Sequence, residues 1–217
     1  MSYILYPKNK LPVKEVQKFI FIFYVIGVIG FLLPWTKNFF VTIIPFALLL
    51  GIYLLAIYHS PYTKKGLFSF VLIFVTSFFI EVVGVNTGII FGSYVYGSGL
   101  GIKFLNTPLL IGVNWLFLTY TSISVVTLFI KKEAFIIFSA SSLMLLYDFF
   151  LEQVAPKMNM WSFVGLDVPI DNYIAWFIFS ALFITLLRVL KVNIKNPVAP
   201  FLFIAQLVFF IFLSFFS

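Results

Sequence analysis

The sequence predicts an all-α, polytopic membrane bundle of about seven transmembrane helices, and three observations predict it. Hydrophobic residues make up 63% of the chain and charged residues 10%, whereas roughly a quarter of a soluble domain is charged. Apolar runs close to the roughly 20 residues that a bilayer requires recur along the whole chain. The connections between them alternate between cation-rich and cation-poor, the pattern that sets orientation in a membrane. The whole of 1–217 therefore reads as one integral membrane domain.

The spans are Phe19–Pro34, Phe39–Tyr58, Gly66–Val85, Leu109–Ile130, Ala134–Leu151, Tyr173–Leu190 and Val198–Phe216. Loop chemistry separates them at Pro34 to Asn38, His59-Ser60-Pro61, Lys131-Lys132-Glu133 and Lys191 to Pro197. The first run leads into Pro34 and Trp35 rather than a small-residue cleavage site, so it reads as a retained span. With the N-terminus inside, the inner connections hold Lys8, Lys10, Lys14, Lys18, Lys64, Lys65, Lys131, Lys132, Arg188, Lys191 and Lys195. The outer ones hold Lys37, Lys103 and Lys157. Cations are retained on the cytoplasmic side, which predicts N-inside and C-outside. The net charge of +7 is explained by that bias and implies no nucleic-acid partner.

Against this background three acids stand out. Glu81 follows FVLIFVTSFFI, and Asp148 and Glu152 bracket FFL within LMLLYDFFLEQVAP, in a chain with seven carboxylates in all. A charge within lipid costs roughly 2.5–3.5 kcal/mol on insertion scales, so such acids are neutralised, paired or kept for chemistry. Asp148 and Glu152 share a helix face at i, i+4. In a dry setting two neighbouring carboxyls do not both ionise cheaply, so one of them holds a proton. The alternation of spans puts Glu81, Asn114 with Trp115, the Asp148–Glu152 pair and Asn172 with Tyr173 at one depth, in the outer half of the membrane. A single polar pocket is the economical reading.

Plainer readings stand beside it. Glu152 precedes a loop containing Pro156 and would be solvated at the interface. Asp171 and Asn172 would cap the sixth helix, where the dipole favours an acid. Asn114 would bridge helices. Trp35 and Trp161 suit an interfacial aromatic belt. His59, beside Ser60-Pro61 on the inner side, reads as a loop residue remote from the acids. The absence of cysteine rules out disulfides, thiolate metal sites and cysteine nucleophiles, and one histidine rules out multi-histidine di-iron chemistry.

The stretch Asn86–Pro108, NTGIIFGSYVYGSGLGIKFLNTP, is neither a clean helix nor a polar loop. Gly84, Gly88 and Gly92 continue the face of Glu81 at a spacing that lets helices, or a flat ligand, approach closely. Either they form a packing seam followed by a flexible connector, or the segment folds back over the pocket mouth with Tyr94 and Tyr96 at the interface. Irregular backbone at membrane depth is tolerated where it is buried or lines a cavity.

Four blocks in order, EVVGVNTGIIFGSYVYG (from Glu81), PLLIGVNW (from Pro108), DFFLEQVAP (from Asp148) and, after Trp161, VPIDNYIAWF (from Val168), resemble the carotenoid biosynthesis membrane proteins that include the carotenoid 1,2-hydratases. The resemblance spans Glu81 to Phe177. One departure is Gln153, where the family often has proline. The resemblance implies a hydrophobic polyene substrate in a bacterial or archaeal cytoplasmic membrane, contact with lipid, and association with other enzymes of the pathway. It also implies a hydro-lyase acting without metal, nucleotide or redox cofactor. Hydration of an acyclic carotenoid end would run through protonation of its terminal double bond and capture of the tertiary cation by water. Asp148, the deeper of the pair, is expected to donate the proton. Glu152 would be its partner or the water-orienting base, and Glu81 an alternative acid or cation stabiliser. Asn114, Asn172, Tyr173 and Tyr94 are expected to orient water or substrate. Trp115, Tyr147 and Trp176 offer ring faces to a cation, and Gly88 and Gly92 offer close approach. Acid-catalysed cyclisation of the same substrate, and a non-enzymatic proton-coupled carrier, remain as alternative functions.

Overall fold

In the computed structural model, residues 11–165 and 167–216 are described; Lys8 and Lys10, used above for orientation, lie outside them. The described chain forms seven helices: α1 (Val13–Leu32), α2 (Pro34–Tyr58), α3 (Lys64–Thr87), α4 (Leu110–Val126), α5 (Glu133–Val154), α6 (Ile170–Val189) and α7 (Ala199–Phe216). Among the described residues six of these are long and apolar enough to cross a membrane, and α4, at 17 residues, is shorter. It ends at Val126, and the remainder of the span expected to reach Ile130 is a turn. Nearly every residue of α4 is buried, so protein rather than lipid surrounds it, and it need not match the hydrocarbon thickness. Its hydroxyls are satisfied within the helix: Thr119 Oγ1 donates to the Trp115 carbonyl (2.8 Å) and Thr121 Oγ1 to that of Phe117 (2.7 Å).

The first break is tighter than expected. Instead of a loop over Pro34 to Asn38, Leu33 alone separates α1 from α2, and Pro34 opens α2, where its fixed φ and missing N–H are tolerated. The Thr63 side chain caps α3, accepting from the Gly66 N–H at 3.0 Å.

Cross-helix contacts fix the alternation. Tyr58 donates to the Leu11 carbonyl, placing the start of α1 beside the end of α2. His59, after α2, meets Tyr120 in the second half of α4 at 2.8 Å. Asn196, before α7, donates to the Leu55 carbonyl at 2.9 Å. Arg188, late in α6, pairs through Nε (2.7 Å) and Nη2 (2.5 Å) with Glu133 at the start of α5. All of these lie at one end of the bundle, which also carries Lys14, Lys18, Lys64, Lys65, Lys131, Lys132, Lys191 and Lys195. The other end gathers the end of α3, the start of α4, the end of α5 and the start of α6. The helices run up and down in sequence, so the chain enters at the basic end and α7 finishes at the other.

His59 lies in the connection just past α2, as a loop residue. It is buried there, held among the rings of Tyr62, Phe70 and Tyr120. Its distance from the acids is as expected.

Candidate active site

The non-helical segment is built as a lid. α3 stops at Thr87 because Gly88 adopts a left-handed conformation (φ +69°), a common helix ending. Gly92 is also left-handed (φ +87°) and faces Pro169. These glycines turn the chain back, and the helical seam through Gly84, Gly88 and Gly92 ends with α3. Strand β1 (Tyr94–Tyr96) then pairs antiparallel with β4 (Trp161–Phe163), with Tyr94 opposite Phe163 and Tyr96 opposite Trp161. The ladder extends both ways, from Val164 N–H to the Ser93 carbonyl (2.9 Å) and from Gly99 N–H to that of Asn159 (2.7 Å). A second small hairpin, β2 (Lys103–Phe104) with β3 (Thr107–Pro108), turns through Leu105 and Asn106, both at positive φ. Asn106 donates to the Asn86 side chain at 2.9 Å, tying that hairpin to the end of α3.

The two-residue period of a strand decides what the ribbon presents. Val95 and Ser162 face outward, whereas Tyr94, Tyr96 and Trp161 face the bundle and are buried. Each reaches an acid. Glu81 Oε2 accepts from the Tyr94 hydroxyl (2.6 Å) and the Tyr96 hydroxyl (2.7 Å), and its Oε1 accepts from Trp115 Nε1 (2.9 Å). Glu152 Oε2 accepts from Trp161 Nε1 (2.8 Å). Burial, with the Glu81 charge beside them, raises both ribbon phenols above the ordinary tyrosine range, so they act as donors. Gly84 makes the inward fold possible, since a Cβ there would lie 2.5 Å from the Phe91 ring and 3.3 Å from the Tyr94 hydroxyl.

Asp148 and Glu152 meet through α6. Asn172 Nδ2 donates to Asp148 Oδ2 (3.0 Å) and to Glu152 Oε1 (3.2 Å), so one amide bridges both acids. Asn172 thus looks inward to the acids; it is not a helix cap. Glu152 is buried, not solvated at the interface, and the ribbon expected at the interface is what covers it. Asp148 Oδ1 is buried without a hydrogen-bond partner among the described residues, an uncommon condition for a polar atom.

Two spaces adjoin this network. One, of about 10 Å³, lies between Glu81, Glu152 and Asn172 under the rings of Tyr94, Tyr96, Trp161 and Trp176, at the lower limit for holding one water. The other is a cleft of about 300 Å³ running along α1, α2 and α7, lined largely by phenylalanine and aliphatic side chains. Asn114, Tyr147, Leu151 and Gln206 face it, and Trp161 lines both spaces. Ile26 and Phe39, on its rim, are 53% and 63% exposed, so the cleft reaches the outer surface of the bundle between α1 and α2.

The residues read from sequence therefore divide. Glu81, Glu152, Asn172, Trp176 and Tyr94 face the small space. Trp115 bonds Glu81 and stacks on Trp176 at 4.1 Å between ring centroids. Asn114 and Tyr147 face the cleft. Asp148 lines neither space, Tyr173 packs outward against Phe149, and Gly88 and Gly92 shape the lid rather than a binding surface. Tyr96 and Trp161 complete the network, Trp161 having first read as part of an aromatic belt. Among the described residues no group of side chains has the arrangement of a metal site.

A family model described as carotenoid biosynthesis protein matches residues 41–217, which takes in α3 to α7, the ribbon and every acid of the network. No curated protein and no solved structure matches the chain.

Proposed function

The chain belongs to the carotenoid biosynthesis protein family, and on that premise we propose that it is a carotenoid hydratase, adding water to the terminal double bond of an acyclic carotenoid end. The observation that carries this reading is the junction at Trp161: a water-sized space between two carboxyls on one side, an apolar cleft open to the bundle surface on the other. A polyene end lies in the cleft and water in the small space. For the two to meet, the Trp161 indole moves aside, which breaks its bond to Glu152 and frees that carboxyl oxygen.

Glu152 lines the small space and Asp148 does not, so the role of donor falls to Glu152 in its protonated form. Asp148, joined to it through Asn172, is its partner. The Glu152 proton passes to the inner, CH carbon of the double bond, whose π pair forms the new C–H bond. The adjoining carbon, bearing two methyls, becomes a tertiary cation. Trp161 and Trp176 present ring faces to it, and Glu81 supplies negative charge. Water forms the C–O bond, and its surplus proton returns to the Glu152 carboxylate, leaving the enzyme unchanged and the product one water heavier. A positioned general acid contributes typically 10²–10⁴-fold.

The test is expression in a host that accumulates lycopene, with pigments analysed by mass. Hydration adds one water per reacted end, and Glu152→Gln and Asp148→Asn each lower the yield by about 10²-fold or more. An unchanged mass with shifted absorption would replace hydration by cyclisation. Unaltered pigment with a correctly folded protein would remove the hydratase reading.

A further inference from the structure

The basic end of the bundle carries a groove that the acid chemistry does not use. It has a volume of about 690 Å³ and lies between the last turn of α4, the first turns of α5 and α7, the last turn of α6 and the extended connector before α7. Its polar rim is cationic, with Lys131, Arg188 and Lys195, and its walls include Leu128, Ile136, Val192 and Ile194.

The connector explains why charge and apolar surface sit together. Residues 191–197 alternate, with Val192, Ile194 and Asn196 buried and Lys191, Asn193 and Lys195 exposed. Asn193 fixes this course, accepting from the Lys195 N–H (3.0 Å) while its amide donates to the Ser60 carbonyl (3.1 Å). Asn196 holds the next step, accepting from the Val198 N–H at 3.0 Å. Lys195 is thereby presented at the rim. Lys131 is placed by its bond to the Thr127 carbonyl (2.8 Å). Arg188 already pairs with Glu133, but among the described residues neither Lys131 nor Lys195 has a salt-bridge partner.

We propose that this groove binds the headgroup of an anionic phospholipid, with Lys131 and Lys195 on the phosphate and the apolar walls against the glycerol and first acyl carbons. Three observations favour this occupant: two lysines without carboxylate partners, an apolar wall continuous with them, and a position at the ends of the spans, where headgroups lie. A free phosphate would use the lysines and leave the wall unused. Basic pockets between transmembrane helices are a recognised way of holding anionic headgroups.

The purified full-length protein in neutral detergent, titrated with lipid and followed by native mass spectrometry, tests this. Dioleoyl-phosphatidylglycerol is expected to give a one-to-one adduct at a concentration at least about tenfold below that needed for dioleoyl-phosphatidylcholine. The double variant Lys131→Ala/Lys195→Ala is expected to lose that preference, since each lysine near a headgroup surface contributes on the order of fivefold in affinity. Lys131→Arg/Lys195→Arg is expected to keep it. Lys14→Ala/Lys18→Ala, removing equal charge at the same end but outside the groove, should behave as wild type. Equal binding of the two lipids would overturn the proposal, as would a preference surviving in the alanine variant. Full displacement of the lipid by millimolar inorganic phosphate would reassign the groove to a free anion and overturn the lipid reading.

Discussion

At the scale of single residues, the three acids have different surroundings, and they should respond differently to the same neutral substitution. Glu81 meets three donors and no acceptor, the complement of a carboxylate, which can only accept. A glutamine there brings an NH₂ to face either an indole N–H or the two phenols. Leaving a buried donor unmatched costs about 1–3 kcal/mol. Asp148 already has one oxygen without a partner, so Asp148→Asn gains no comparable conflict. Thermal unfolding in detergent should show Glu81→Gln destabilised by about 1–3 kcal/mol and Asp148→Asn within about 1 kcal/mol of wild type. Equal losses would mean that the hydrogen-bond inventory does not govern these positions. The acids were legible in the sequence because ionisable groups in apolar runs are rare and costly. Trp161 and Tyr96 were far less so: in a chain that is 21% aromatic, nothing distinguishes an indole that bonds a carboxyl from one that anchors an interface.

At the scale of elements, the seven helices were legible because length and hydropathy suffice to find them, although the starts of α1 and α2 lie at Val13 and Pro34 rather than Phe19 and Phe39. The ribbon was not. Glycines at four-residue spacing fit a helical seam as well as they fit a reversal, and a three-residue strand leaves almost no periodic signal. What the periodicity lacked is supplied by pairing with β4, more than 60 residues away, which no local pattern encodes. The close approach of the two ribbon strands gives a test. A Cβ on Gly97 would fall 2.3 Å from the Asn159 carbonyl oxygen and 2.2 Å from its side-chain oxygen, so the backbones must separate. Gly97→Ala should cost about 1–3 kcal/mol, the usual range for overpacking. It should also pull Tyr96 from Glu81 while leaving the helix content intact by circular dichroism. Full stability together with unaltered tryptophan fluorescence would show that the ribbon accommodates the methyl and that its spacing is not constrained.

At the scale of the whole molecule, two independent patterns divide the protein in the same way. The contacts place the acids, the ribbon and both asparagines at one end of the bundle, and the described cations of the inner connections at the other. In the sequence, the charge bias of the connections together with the alternation of the spans predicts the same division. Lysines that cannot cross the membrane and acids that must be buried to be useful thus separate along one axis. The division matters for function, because the end that faces away from the cytoplasm determines where water and protons reach the network. The positive-inside rule predicts that the ribbon faces outward and that the groove at Lys131 and Lys195 faces the cytoplasm. The cysteine-free sequence is a clean background for testing this with single cysteines. Ser162 is exposed on the outer face of the ribbon and Lys191 is exposed at the opposite end. In intact cells a membrane-impermeant maleimide should label Ser162→Cys and spare Lys191→Cys, which should react only after the membrane is opened. The reverse pattern would turn the bundle over, placing the acids at the cytoplasmic face and drawing the water and protons for the proposed hydration from inside the cell.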